Sequence, residues 1–536
     1  MIYLLKLMLR GSVCIYLGIL ISVSSCVHQP ASNLESHGDQ AVVKNPDSHG
    51  QPHPAVWFAG PVAAAFDEAA ARKKLVFLYW GAVWCPPCNE LKANVFSHAE
   101  FPKLMQDLIP VYLDGDSAEA QLWGDTLGIT GYPTLLVLDA HRQELLRVNS
   151  SVNFAEFSDI IHPLSSQSQT FDRAVAHVEQ ERATSEDLRL LAYVEWEQLP
   201  LKSWPISRRI RILQLCRLQI PPHQVVEKAL LAAQWLALVA NAGEDPTIKQ
   251  QWSALARQAP PALDAVFASP LTIIATRGFI NNQVESIVDW LYPEVQSVDY
   301  QSLRSRWLVA AKYIEQSAQV SIDNQMWAVY PELAFYKHEH PQADFPPELK
   351  QRIQVAVRRA DQQATSAYAR HAVVSGAATL LRFVGDATGA RSLLTLESAK
   401  SDTPWYYYSS LASLAEEQKQ PLEAKKWMQK ARQSAQGRAT RIQWITSDIV
   451  LNAKLKGAGQ KEYLLGVAKE FYALATELSD GFAGRNSRRA EMVQESLKAF
   501  RHDPDFIQVF KDQKMRCAQL LTENQRACFA HFEQLI

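Results

Sequence analysis

Between residues 55 and 162, short apolar runs alternate with longer amphipathic stretches. "AVWF" (55–58), "LVFLY" (75–79), "IPVYLD" (109–114), "TLLVLD" (134–139) and "ELLRV" (144–148) have the length and composition of strands. "PVAAAFDEAAARKK" (61–74), "NELKANVF" (89–96), "AEAQLWGDTLG" (118–128) and "FAEFSDIIH" (154–162) read as helices. The first has a proline at its start, and Gly128 closes the third. The predicted order is β-α-β-α-β-α-β-β-α, an α/β domain over 55–162. "PLSSQSQ" (163–169) interrupts the pattern and reads as a linker. From 170 to 536 apolar positions recur only at helical spacing, as in "KALLAAQWLALVANAG" (228–243) and "LKQRIQVAVRRADQQA" (349–364). Breaks fall at "IPPH" (220–223), "APPA" (259–262) and "FPPE" (345–348). The chain is therefore predicted as an α/β domain followed by a large all-α region.

Within that region one spacing repeats. Ala378 and Ala412, Ala390 and Ala424, and Leu394 and Met428 are each 34 residues apart. In the unit 403–435, Tyr408, Leu411, Ala412, Ala424, Met428 and Ala431 alternate large and small residues so that two helices can approach closely. This pattern resembles a tetratricopeptide repeat, which implies a helical array over part of 170–536. An irregular helical domain with one matching unit is the rival reading.

The N-terminus has a different pattern. Lys6 and Arg10 precede a short apolar run, Gly11 to Val23, followed by Ser24, Ser25 and Cys26. This is the layout of a signal peptide over 1–25, too short for a mature membrane span. The small residues before Cys26 resemble a bacterial lipobox, which implies cleavage before Cys26 and lipidation of its side chain. Val27 at the following position, where the resemblance would otherwise place Asp, implies sorting to the outer membrane, facing the periplasm. An ordinary signal peptide and an uncleaved anchor are the alternatives. Residues 26–54 are polar and read as a flexible tether. Their histidines, His28, His37, His49 and His53, are better read as linker composition than as a metal tract.

Length and charge narrow the picture further. A chain of 536 residues suggests more than one domain. A formal net charge of −2 gives no electrostatic reason to expect a nucleic-acid partner. Seven cysteines are too sparse for a disulfide scaffold, so their placement carries the information.

"WGAVWCPPCNE" (80–90) holds the candidate chemistry. It follows an apolar strand and opens a helix. A helix N-terminus favours thiolate through its dipole and free N–H groups, and thiolate is the nucleophilic form of cysteine. Two intervening residues let Cys88 reach Cys85 and close a disulfide. Cys85 is expected as the exposed attacking sulfur and Cys88 as the resolving one, with exchange through a mixed disulfide. Pro86 and Pro87 have no N–H, so only the Cys88 amide is left to stabilise a Cys85 thiolate. A less stabilised thiolate makes a weaker oxidant, so the loop favours reduction or isomerisation. Half a zinc site, a copper(I) site and a static disulfide are the other readings of such a pair. No second Cys/His pair with zinc spacing lies nearby.

The strand–motif–helix order, together with "TGYPT" (130–134), resembles the thioredoxin superfamily over residues 55–162. The run 65–96 is similar to periplasmic thioredoxin-like domains related to the C-terminal domain of the disulfide interchange transporter. The resemblance implies a cis peptide before Pro133, facing the cysteines, and a substrate groove formed by Trp84, Tyr132 and Pro133. It implies a redox-active Cys85–Cys88 disulfide, no other cofactor and no metal. One position departs: Tyr79 stands where thioredoxin has a buried Asp under the cysteines. Glu90 and Lys92 are near in sequence, but spacing alone does not bring either to the thiols.

The remaining cysteines have structural readings. Cys14 falls in the signal segment, and Cys216 sits on an apolar helix as a buried free thiol. Cys517 and Cys528 are a candidate structural disulfide if a hairpin turns at "TEN" (522–524). A continuous helix would hold them about 16 Å apart and forbid the bond.

Two functions fit. One is a membrane-tethered periplasmic thiol–disulfide oxidoreductase acting on protein thiols and disulfides, recharged by a membrane-borne electron donor. The other is a helical scaffold or chaperone-like lipoprotein with the thioredoxin-like part as a docking module. Copper(I) handling is a third. The lipid anchor is open to direct test. Cys26→Ser should abolish acylation in a labelled-fatty-acid assay and move the chain out of the membrane fraction; unchanged labelling would reject lipidation at Cys26.

Overall fold

The computed structural model describes residues 52–536, apart from 130, 149, 151, 165–169, 202, 244, 293, 456–458 and 479. The signal segment with Cys14 and Cys26, the tether as far as residue 51, and the 165–169 part of the linker lie outside the described residues. Among the described residues no helix is long and apolar enough to cross a membrane.

A four-stranded sheet forms the α/β part, in the order β2-β1-β3-β4. The strands are β1 (Leu75–Gly81), β2 (Leu108–Asp114), β3 (Thr134–Leu138) and β4 (Glu144–Val148). β1 runs parallel to β2, with Gly81 opposite Asp114, and antiparallel to β3, with Trp80 opposite Thr134. β3 and β4 form an antiparallel pair. Every residue of β1 after Leu75 is buried, as an apolar run with no polar alternation requires. Val76, Leu78 and Trp80 pack with Val62, Phe66, Ile109 and Leu136 on one side. Phe77 and Tyr79 point to the other side, into a cluster of rings with Trp57, Phe96, Phe101, Tyr112 and Phe157.

"AVWF" does not form the predicted fifth strand. Pro54–Val56 is a short 3-10 turn, and Phe58 gives β2 a single bond, N–H to Pro110 O at 2.8 Å. Its apolar character serves the core instead. The Trp57 ring lies 5.4 Å from Phe96 and 5.7 Å from Phe101, edge-on and tilted. The other predicted elements form, and helices Val62–Arg72, Pro86–Leu91, Ala118–Thr126 and Phe154–Leu164 cover the sheet. The second continues through one π-helical stretch, Lys92–Phe96.

From Phe171 to Glu533 the described chain is helical, apart from an isolated bridge between Val194 and Val148 of β4. The first predicted proline break, 220–223, separates helices Ile206–Gln219 and Val225–Asn241, and the other two fall at helix starts, where a missing N–H costs nothing: Ala259–Val266 and Pro347–Gln363 both carry proline in their first turn. Between Ala367 and Glu477 successive helices pack on their sequence neighbours, giving the repeat-like array. Ala378, Ala390, Ala412, Ala424 and Ala431 are all buried, as close helix approach demands. Tyr408 is only half-buried, stacked on Trp427; its neighbour Tyr407 is the ring that enters the core.

Cys517 and Cys528 are joined by a disulfide, with Cα atoms 5.7 Å apart, and both are fully buried. The chain turns at Leu520–Leu521, earlier than expected, and "TEN" is the first turn of helix Thr522–Glu533. Leu521 is extended and caps that helix, its carbonyl taking the Gln525 N–H. Cys216 is a buried free thiol, with burial raising its pKa. A disulfide closing so short a loop restricts the unfolded chain by roughly 2–4 kcal/mol. Denaturant titration of Cys517→Ala/Cys528→Ala should show a loss of about that size, and an unchanged midpoint would refute a structural role.

Candidate redox site

β1 is paired on both edges, so its end fixes where the next residues emerge. Ala82 to Trp84 leave the sheet there, and Cys85 becomes the N-cap of helix Pro86–Leu91. Pro86 and Pro87 occupy the first two helical positions, which have no intrahelical use for an N–H. The first amide available is that of Cys88, which donates to Cys85 Sγ at 3.2 Å. The two cysteines form a disulfide with Cα atoms 5.2 Å apart. Asn89, which sequence reasoning passed over, pins the turn: its Nδ2 donates to the carbonyls of Val83 and Cys85, both at 2.9 Å.

The second half of the expected site comes from β3. Thr134 lies opposite Trp80, so Pro133 stands beside the end of β1, and the Tyr132–Pro133 peptide is cis. The Tyr132 ring is 5.5 Å from that of Trp84, edge to face. It lies across Gly115, where a Cβ would sit 2.1 Å from the Tyr132 hydroxyl oxygen, so that position needs glycine. Trp84, Cys85, Cys88, Tyr132 and Pro133 thus gather at one end of the sheet.

The expected exposure of Cys85 is wrong. Cys85 is 2% exposed, Cys88 0% and Trp84 6%. The cause is the helical region, which packs directly on this face. Helix Ala367–Phe383 lies against the motif helix. Tyr406 stacks on Trp84 at 6.1 Å. Gln198 donates from Nε2 to the Pro133 carbonyl at 3.1 Å and accepts from Thr134 Oγ1 at 3.0 Å. Glu90 accepts from Ser321 Oγ and Asn324 Nδ2, both at 2.6 Å, which directs its carboxylate into the helical region. None of these partners could be foreseen, because they come from far along the chain, Asn324 from 234 residues away and Tyr406 from farther still.

Three ionisable groups at the C-terminal end of β2 and on the motif helix sit in low-dielectric surroundings. Lys92 is 1% exposed and one turn after Cys88, whose carbonyl takes its N–H. Desolvation lowers its pKa to about 8, opposed by the nearby Asp114 carboxylate. Its ammonium stands 5.7 Å from the ring centres of both Tyr112 and Tyr368. Desolvation raises Asp114, although the Asp116 amide and the Tyr112 hydroxyl, each at 2.8 Å, favour its charge. Asp116 is pushed up to about 6 by desolvation, against bonds from Thr440 and Trp84 and with help from the like charge of Asp114. Tyr79, at the departing position, is fully buried and stacked on Tyr112; burial raises its pKa. The only available signal for Asp114 and Asp116 was topological: parallel β1 and β2 put "DGD" (114–116) next to the end of β1.

A protein-family model described as thioredoxin-like matches residues 57–140. No curated protein matches the chain. The match, the sheet order and the close Cys85–Cys88 pair define a thioredoxin-like domain and support a thiol–disulfide redox role at this site. Among the described residues no group of three or more His, Cys, Asp or Glu is placed to hold a metal ion.

Asp116 makes a pH prediction. In the fold it keeps its proton up to about pH 6, whereas an unfolded carboxyl releases it near 3.8. Folding therefore takes up a proton in that window, and this group's contribution to stability falls as pH rises through it. Asp116→Asn, which cannot ionise, should gain stability relative to wild type as pH rises from about 4 to about 7. Parallel free-energy curves for the two proteins in urea would contradict this.

Proposed function

We propose that the protein is a thiol–disulfide oxidoreductase that reduces or isomerises protein disulfides, tethered to a membrane through Cys26 and working in the periplasm. The observation that carries the redox reading is the Cys85 sulfur at a helix N-terminus, capped by the Cys88 amide and bonded to Cys88. In the reduced enzyme the Cys85 thiolate attacks a substrate disulfide. A mixed disulfide forms, and one substrate sulfur leaves as thiolate and takes a proton. Cys88 then loses its proton and attacks Cys85 Sγ. The second substrate sulfur is released, and the Cys85–Cys88 disulfide holds the oxidising equivalents. Two electrons have passed to the substrate, and a dithiol donor, proposed to be membrane-borne, restores them.

The direction follows from the donors at Cys85. With Pro86 and Pro87 silent, one amide stabilises its thiolate, and a dithiol with a less stabilised thiolate is the weaker oxidant. Trp84, Tyr132 and Pro133 are proposed as the substrate-facing surface. An outer-membrane address and the tether rest on the sequence of the first 54 residues.

The burial of Cys85 favours a second reading, in which the thioredoxin-like domain only docks the helical region and turnover is absent. Purified full-length protein decides between them. It should reduce a disulfide-bonded protein substrate, Cys85→Ser should fall to background, and Cys88→Ser should accumulate mixed disulfides through Cys85. A wild type without turnover would leave the docking reading standing. A reduction potential as high as that of strongly oxidising dithiols would overturn the reducing direction.

A further inference from the structure

Asp116 serves two regions at once. It lies just past β2, beside the redox loop, and accepts from Trp84 Nε1 at 3.1 Å. The same carboxylate accepts from the Thr440 amide at 2.7 Å and from Thr440 Oγ1 at 2.5 Å. Thr440 is in the first turn of helix Arg438–Asn452, whose own N-cap is Gly437 and offers no side chain. First-turn amides need an acceptor, and a carboxylate there also meets the positive end of the helix dipole. Asp116 therefore caps this helix from 324 residues away in sequence.

Gly437 makes the approach possible. Its φ is +77°, and a Cβ there would lie 2.4 Å from the Asp116 side chain. Beside this contact Tyr406 stacks on Trp84 and leans edge-on against Trp444 at 6.3 Å. Trp84, the residue before the attacking cysteine, is thus held by Asp116 on its indole nitrogen and by Tyr406 on its ring. Together with helix Ala367–Phe383 on the motif helix, these contacts leave Cys85 2% and Cys88 0% exposed, so that no protein substrate can approach the disulfide.

We infer that the helical region is a gate over the dithiol: substrate disulfides reach Cys85 only when the contact of Asp116 and Trp84 with Thr440 and Tyr406 opens. This rests on the redox reading proposed above, and it adds that the chain's own helices compete with substrate for the Trp84 face. Opening exchanges one charge-assisted cap and one ring stack for solvent or substrate contacts, while the wider helix packing stays in place. The helical region then acts on activity through the gate equilibrium, whatever else it binds.

The test measures access to Cys85 separately from turnover. In full-length Cys88→Ser protein, Cys85 is a lone thiol, and its labelling by a small maleimide and by a polymer-linked maleimide is followed by peptide mass spectrometry. Buried Cys216 in the same chain reports global unfolding. Thr440→Val/Tyr406→Ala removes the hydroxyl bond and the stack. Gly437→Ala wedges the contact apart from the other side. Both should speed Cys85 labelling by roughly ten-fold or more, with Cys216 unchanged. Rapid labelling by the bulky reagent of Cys88→Ser protein with the contact intact, or Cys85 and Cys216 rates rising together in both variants, would overturn the gate. With Cys88 restored, the same variants should raise disulfide-reduction rates. If they label faster yet reduce nothing, the gate stands and the redox reading fails.

Discussion

Everything at the redox site depends on the burial of β1. The strand is paired on both edges and packed on both faces, so it cannot shift without disturbing two cores. A one-residue slip would exchange Val76, Leu78 and Trp80 with Phe77 and Tyr79 and put each set in the wrong core. That rigidity is passed on through the short turn 82–84, pinned by Asn89, to the start of the motif helix. The sulfur of Cys85 is placed by hydrophobic packing, and its electrostatics by the helix that packing positions.

The helical region adds a second layer of control to the same few residues. Its contacts fall on Trp84 and Glu90 beside the disulfide, on Pro133 and Thr134 at the cis peptide, and on Asp116, which accepts from Trp84. A further ion pair, Arg277 with Glu156, joins the two parts away from the site. The large helical region and the small redox centre are therefore parts of one packed structure, which gives the size of the chain a physical meaning. The pKa shifts of Lys92, Asp114 and Asp116 share this origin: in each, desolvation is the leading cause.

Local chemistry was legible in the sequence and remote contact was not. Strand length, helix caps, the Cys85–Cys88 pair and Pro133 are encoded within a few residues of themselves, and periodicity and turn chemistry expose them. "AVWF" misled because a short apolar run can serve a core or a ladder, and its flanking prolines Pro52 and Pro54 could not donate to a ladder. The exposure of Cys85 was misjudged because the covering helices lie hundreds of residues downstream. Nothing around Asp116 announces that it will cap a helix beginning at Arg438. Conversely, the missing side chain at Gly437 was a sign of an unfilled cap, but only once that helix was known to start there.

The ends of the sheet carry a consequence for solubility. An unpaired strand edge is a template for joining another chain. On one side β2 receives the Phe58 amide, and on the other β4 is met by Val194 and by the Glu195 N–H bonded to the Arg147 carbonyl. The segment guarding β4 comes after the linker, from the helical part of the chain. Separating the two parts at that linker would leave β4 bare and expose an edge able to pair with another chain, an edge that Val194 and Glu195 cover in the whole protein.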